Sequence, residues 1–475
     1  MIIPNLVAYS ALALWPVVSF IFFQMMPVRK AIIWSILGGY LLLPVSTGFD
    51  APGIPNMDKT LISNLAVAVW AVTFARFKVI AIPRNKILVG LMLLYAVSPF
   101  FTMLTNQEPL RLSASTLPGM TFYDGLSIVT KQILHLLPFL IGYNAFKTEG
   151  DIREVLKALV MAALAYSILI LWEIRVSPQL HSQLYGFFPH SFAQQMRAGG
   201  FRPVVFLGHG LVVAIFVAMA MVAAIGLWRN RTQVFGFNGI IYISILLFVL
   251  ILCKSLGAVV LVTIVGFTLY FIRYRTIISV LAIFGLIIFS YPLMRGTGLI
   301  PVNNIAEISA DFSSDRGASF QTRVDNEEML LEKAAQKPLF GWGTWGRDRI
   351  YMADWSGKFD IDVSITDGTW IIILGTFGWA GYISTFGLLT FPTARAFHRR
   401  KQFAQFPVYV ALLAVLVVNL LDLLPNSSMS PVTWFAAGIL AGFMPAAKKI
   451  LKTSRSPEQV ERQDMCTSNA KGSKI

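Results

Sequence analysis

The chain has 475 residues, 56% of them hydrophobic and only 13% charged, against roughly 25% charged in soluble domains, which excludes an ordinary globular fold. Its net charge of +15 does not point to nucleic acid, because the basic residues sit in short connections between apolar runs, with no basic stripe interleaved with aromatics.

Taken in chain order, the apolar runs occupy about 4–25, 31–48, 60–75, 87–104, 122–146, 155–175, 205–228, 238–254, 257–272, 276–294, 366–391, 406–424 and 431–446. A helix of ~20 residues crosses a ~30 Å hydrocarbon layer, and the runs lack the alternation of a transmembrane barrel. The expected fold is therefore all-α: a polytopic integral membrane protein of about 12–13 transmembrane helices. The pair meeting around Cys253–Gly257 is the hardest to divide. The first run has neither a basic leading region nor a small-residue cleavage site, so it reads as a span rather than a removed signal. Cys253 lies in a run and Cys466 near the tail, a pattern that makes neither a disulfide framework nor a metal site.

Arg29/Lys30, Arg76/Lys78/Arg84/Lys86, Lys147/Arg153/Lys157, Arg229/Arg231, Arg273/Arg275, Arg395/Arg399/Arg400/Lys401 and Lys448/Lys449 fall in every second connection. With thirteen spans they share one side. By the positive-inside rule that side is cytoplasmic, which sets the N-terminus outside and the C-terminus inside. The long connections, about 105–121, 176–204 and 295–365, then face outward. Four parts follow: an N-terminal transmembrane bundle over 1–294, a large outward loop with short helices over 295–365, C-terminal transmembrane helices over 366–446, and a polar, mostly disordered tail over 447–475.

The large loop is far longer than the ~4–6 residues of most connections, and it carries "FQTRVDNEEMLLEKAAQKPLFGWGTWGRDR" from Phe320 to Arg349. Thr322 to Gln336 is expected to be a short helix, with acidic residues early and Lys333 late, a polarity that suits the helix dipole. Val324, Leu331 and Ala335 are expected to pack it on the membrane domain. Arg323 and Glu327, four apart, share a face and are also readable as a plain surface pair. Pro338 ends the helix. Gly341, Gly343 and Gly346 permit a tight turn that holds Trp342 and Trp345 together, either as a small core or as a platform for the apolar faces of sugar rings.

These residues resemble the large-loop signature of the bacterial O-antigen ligase/polymerase superfamily, here Arg323-x-x-x-Glu327-x-x-Leu330-x-x-Lys333-Ala334-x-x-x-Pro338-Leu339-Phe340-Gly341-Trp342-Gly343. Three further pieces are similar and in order: "RAGGFRPVVFLGHGL" from Arg197, "KSLGAVV" after Cys253, and "DGTWIIILGTFGWAGY" from Asp367. The resemblance covers roughly 190–385.

It implies inverting glycosyl transfer at the periplasmic face of the bacterial inner membrane, from a glycan on undecaprenyl diphosphate, without nucleotide sugar, metal or other cofactor. The implied partners are that lipid-linked glycan, membrane lipids and, as a candidate, a chain-length regulator. A diphosphate leaving group calls for fixed cations, and arginine forks suit its oxygens. The candidates are Arg197, Arg202 and Arg323, with Arg347 and Arg349 behind them. For the general base that the acceptor hydroxyl needs, Asp367, Glu327 and His209 stay open. Ligases of the superfamily commonly carry a histidine where this chain has Asp367, which favours a polymerase of O-antigen or exopolysaccharide repeats over a ligase acting on lipid A core. Lys131, Gln132 and His135 either line an entry for the lipid diphosphate or satisfy a bundle interior. A lipid-linked-oligosaccharide flippase and a non-enzymatic scaffold are the readings from other classes.

Overall fold

In the computed structural model the described residues are 4–445 without 52–53, 76–78, 198, 300–313 and 366, and with the backbone alone at 51, 314–316 and 318–320. Arg76, Lys78, Lys448, Lys449, Cys466 and the expected disordered tail lie outside them.

The helices are α1 Leu6–Met25, α2 Val28–Leu42, α3 Lys59–Ala75, α4 Lys86–Leu104, α5 Phe122–Ala145, α6 Glu149–Val176, α7 Leu180–Tyr185, α8 Gly210–Arg229, α9 Gly239–Leu252, α10 Leu256–Phe271, α11 Tyr274–Gly296, α12 Ser314–Ala335, α13 Thr369–His398, α14 Arg400–Phe403, α15 Pro407–Asp422 and α16 Pro431–Gly442. The structure is mostly helical, and among the described residues seven helices are long and apolar enough to cross a membrane. Shorter apolar helices, α3, α9, α10, α15 and α16, complete the bundle together with α2, so each of the thirteen apolar runs meets a helix. The fold is all-α and polytopic, as expected. The pair at Cys253–Gly257 divides at Cys253–Ser255, where Lys254 takes φ 53° and ends the ladder of α9.

Burial sorts the helices. In α8 89% of the most apolar window is buried, against 28% in α1 and 33% in α11. A helix apolar on every side belongs at the centre, and α8 packs there against α6, α9, α10 and α15. The described residues as far as Phe443 form one compact unit.

Two ends of the bundle differ in chemistry. At one, Arg29 pairs with Asp151 (2.8 Å) and Lys30 with Glu154 (3.4 Å). There too Arg395 donates to the carbonyls of Leu440, Ala441 and Phe443. At the other end stand four two-stranded hairpins: β1–β2 (Gly48–Ala51, Ile54–Asp58), β3–β4 (Leu110–Arg111, Thr116–Leu117), β5–β6 (Met196–Arg197, Gly200–Phe201) and β7–β8 (Tyr351–Ala353, Asp360–Asp362). Helix α12 begins at Ser314, earlier than the expected Thr322. Its packing stripe is Val324, Leu330 and Ala334, all buried. Of the other two expected positions, Leu331 is half-buried against the core and Ala335 is exposed.

Candidate functional site

The turn after α12 is built into a break in α13. Gly378 has φ 63° and ψ −163°, a conformation open essentially to glycine alone. The break strands backbone groups that a continuous helix would satisfy internally, and the turn takes them up. Trp342 and Gly343 donate their N–H groups to the carbonyls of Gly375 (2.8 Å) and Thr376 (2.9 Å), while Trp379 and Ala380 donate to those of Pro338 (2.7 Å) and Leu339 (3.1 Å). A Cβ on Gly341 would lie 2.5 Å from the Thr376 carbonyl carbon, and one on Gly378 2.5 Å from that of Leu339. Close backbone approach is thus what these glycines serve.

That lock decides three of the candidates. Trp342 donates its indole N–H to the Lys333 carbonyl (2.6 Å), with the Lys333 and Lys337 ammonium groups 4.0 and 4.7 Å from its ring. Arg347 is buried and donates to the carbonyls of Trp342, Pro118 (2.7 Å) and Glu108 (3.0 Å). Trp345 is exposed. None of the three lines either cavity described below. Arg347, expected at the diphosphate, is instead spent on backbone carbonyls, and Trp342 braces the turn rather than presenting an open ring. Arg349 pairs with Asp362.

Two adjoining cavities, of about 540 and 790 Å³, open at the hairpin end. Arg197, Arg202, Arg323 and Asp367 line both. The smaller is otherwise lined by His190, Gln194, His209, Ser427 and Ser428 together with apolar side chains, among them Met196 and Val212. The larger runs along α10 from Leu256 to Leu261, past Tyr291, Leu421 and Leu424, with Glu327 and Asp422 in its wall. Ile251, Leu256 and Val260 beside it are large exposed apolar side chains, so this cavity borders the bundle's lipid-facing surface.

Each shared residue is held by a separate device. Hairpin β5–β6 sets Arg197 opposite Gly200, where any side chain would strike the Lys254 ammonium. Arg202 is 8% exposed. One of its terminal nitrogens donates to the Lys254 carbonyl (3.1 Å), and its Nε has no partner among the described residues. The loop after it is pinned from below by Glu173, fully buried in α6, whose carboxylate accepts from the N–H groups of Val204 (2.7 Å), Val205 (2.8 Å) and Leu180 (3.0 Å). Asp367 stands just ahead of α13, tied in place as Thr369 donates to the carbonyls of Leu423 (3.0 Å) and Asn426 (3.2 Å). Arg323 Nε reaches Asp367 Oδ2 at 3.1 Å. The i,i+4 pairing read from the sequence does not form: Glu327 instead lies 3.6 Å from Arg295 Nε.

Electrostatics favours an anion. Among the described residues Arg323 alone of the three shared arginines is in an ion pair. Burial, with Arg197 and Arg323 close by, pulls Arg202 down to about 10, still charged at neutral pH. Burial, with His190, Arg202 and Arg323 adding to it, holds His209 down to about 4. His209 caps α8, its Nδ1 accepting from the Leu211 N–H (3.1 Å), so the neutral ring carries its proton on Nε2. With its Nδ1 lone pair used and Nε2 protonated, His209 is placed as a helix-capping hydrogen-bond donor. Burial raises the Glu327 carboxyl, with Arg295 opposing, and Glu327 faces the larger cavity alone. Of the three candidate bases only Asp367 stands in both.

Sequence reasoning passed over Glu173, Arg295 and Asp422. Asp422 accepts from Ser428 Oγ (2.6 Å) and Asn426 Nδ2 (2.8 Å), which shapes the turn that walls both cavities. Each is an ionisable residue in or at the end of an apolar run, itself a signal of function or pairing. Lys131, Gln132 and His135 on α5 line neither cavity.

Fold and site together define a polytopic helical membrane protein with a cationic crevice between two cavities at one end of its bundle. Residues 241–386, which hold Arg323, the glycine-tryptophan turn and Asp367, match the model of a family described as O-antigen ligase. The superfamily resemblance read from the sequence is thereby upheld over the segment. No curated protein matches the chain.

Proposed function

We propose that the protein transfers a glycan, with inversion, from undecaprenyl diphosphate to an acceptor hydroxyl at the periplasmic face of the inner membrane, and that it polymerises O-antigen or exopolysaccharide repeat units. One observation carries the reading: Arg197, Arg202, Arg323 and Asp367 stand where an apolar-walled cavity meets a more polar one. The prenyl chain lies along α10. The diphosphate sits among the three arginines, which offer forked donors to its oxygens. The acceptor oxygen bonds to the anomeric carbon as the bond from that carbon to the phosphate oxygen breaks, and the bond electrons leave with the diphosphate, where the arginines offset the growing charge. Asp367 takes the hydroxyl proton and returns it to solvent.

The basic connections gathered at the opposite end of the bundle support a periplasmic site, with the N-terminus outside and the C-terminus in the cytoplasm. An aspartate where ligases of the superfamily commonly carry histidine supports the polymerase. The description of the matched family supports the second reading, a ligase delivering glycan to lipid A core. The test is the purified protein in nanodiscs supplied with undecaprenyl-diphosphate-linked repeat units. Longer glycans and released lipid diphosphate are expected. Movement of the lipid-linked glycan across the bilayer with no new glycosidic bond would overturn the reading in favour of a flippase.

A further inference from the structure

We infer that the smaller cavity is the acceptor subsite and that it takes the terminal sugars of an uncharged glycan chain. The inference rests on the proposed glycosyl transfer and deepens it. Inversion places the attacking oxygen, the anomeric carbon and the departing phosphate oxygen in line. If the diphosphate lies among the arginines with its lipid along α10, the acceptor must arrive from the side away from α10. That side is the cavity of about 540 Å³, within the ~300–1,000 Å³ typical of small-molecule sites.

Its lining has the chemistry of a carbohydrate site. Gln194, Ser427 and His190 have no hydrogen-bond partner among the described residues, the His190 ring meeting only that of His209, edge-on at 4.8 Å. The neutral His209 adds an Nε2–H donor, since its Nδ1 is already used. Neutral donors and acceptors of this kind match the hydroxyls of a sugar, whereas a second phosphate would call for further cations. Ser428 and Asn426 are committed to Asp422 and serve as rigid wall, which leaves Gln194, Ser427 and His190 as the side chains that read the acceptor.

The test uses the full chain in nanodiscs, with undecaprenyl-diphosphate-linked repeat unit as donor and a water-soluble glycan of the same repeat as acceptor. In the double variant Gln194→Leu, Ser427→Ala, the loss of two hydrogen bonds of ~1 kcal/mol each should raise the acceptor KM about tenfold or more. Affinity for undecaprenyl diphosphate should stay within about twofold of wild type, because those cations are untouched. His190→Phe, which keeps the ring contact, should act in the same direction. Binding of the soluble glycan, followed by saturation-transfer NMR and needing no turnover, should weaken in step. Unchanged acceptor KM and glycan binding, or a fall in donor affinity instead, would overturn the subsite. Wild-type protein that binds the glycan yet forms no glycosidic bond would sink the proposed transfer and leave the subsite standing.

Discussion

Arg323 and Asp367, brought from the large-loop helix and the head of the next span, hold each other at 3.1 Å on the wall shared by two cavities. Both side chains are more than a third exposed, and such pairs are worth only about 0–1 kcal/mol. In the proposed transfer, a diphosphate with more charge than one carboxylate would take the guanidinium over and release Asp367 toward the acceptor.

Arg323→Ala is expected to cut glycan transfer by about 10²–10³-fold, the cost of removing one preorganised charge-stabilising donor, while the protein inserts into membranes at wild-type levels. Arg323→Lys should also be poor, since a point charge does not reproduce the fork. Measured turnover near wild type in the alanine variant would remove Arg323 from the site.

Asp367→Asn separates base from binder. Loss of a general base costs roughly 10²–10⁴-fold in rate, and removing the carboxylate leaves Arg323 more available to phosphate. Single-turnover transfer should collapse while lipid-diphosphate affinity holds or rises. A variant that transfers normally would send the search for the base to Glu327.

The pH dependence of stability carries a signature of His209. Its folded value near 4 lies below the ordinary 6.5, so between those values the unfolded chain binds more protons. The stability it contributes is complete above about 6.5 and is lost as pH falls toward 4. His181, also lowered chiefly by burial, adds in the same sense. The raised Glu327 carboxyl acts in the opposite sense, so the His209 contribution is the difference between the melting profiles of wild type and a His209 variant in nanodiscs. His209→Asn, which still caps α8, should lose less melting temperature than wild type as pH falls from about 6.5 toward 4; an unaltered profile would exclude His209 as a contributor.

Gly378→Ala should be among the most damaging small substitutions. Its φ of 63° with ψ −163° strains any side chain by about 1–3 kcal/mol, and the added carbon would also meet Leu339. Markedly reduced accumulation or melting temperature is expected. Wild-type thermal stability would mean that the turn and α13 are not locked together as described.

Arg347→Met addresses stability rather than chemistry. It removes the donor that partly buried hydrogen bonds bring to the carbonyls of Pro118 and Glu108, at about 0.5–1.5 kcal/mol for each bond lost. The melting temperature should fall with lipid-diphosphate affinity unchanged. Weakened lipid binding at normal stability would return Arg347 to the diphosphate site.

The all-α membrane class, the thirteen apolar runs and the grouping of basic connections at one end could all be read from the chain, because each depends on local composition and on the length needed to cross a bilayer. The arginines of the two motif segments could be read as well, since a cation beside lipid signals itself by its cost. What the chain alone could not decide was partnership. Arg323 and Glu327 sit four apart on one helix, yet each turns to a residue from another element, Asp367 and Arg295. Arg347 and Arg202 look alike in sequence, but the carbonyls of Glu108 and Pro118 consume one, whereas the other borders both cavities with its Nε unpartnered among the described residues. Even the glycines of the turn acquire their reason only against the break in α13 that they fill. Composition and period act within one segment; cavities, ion pairs and used lone pairs arise where distant segments meet, and only the tertiary structure sets those meetings.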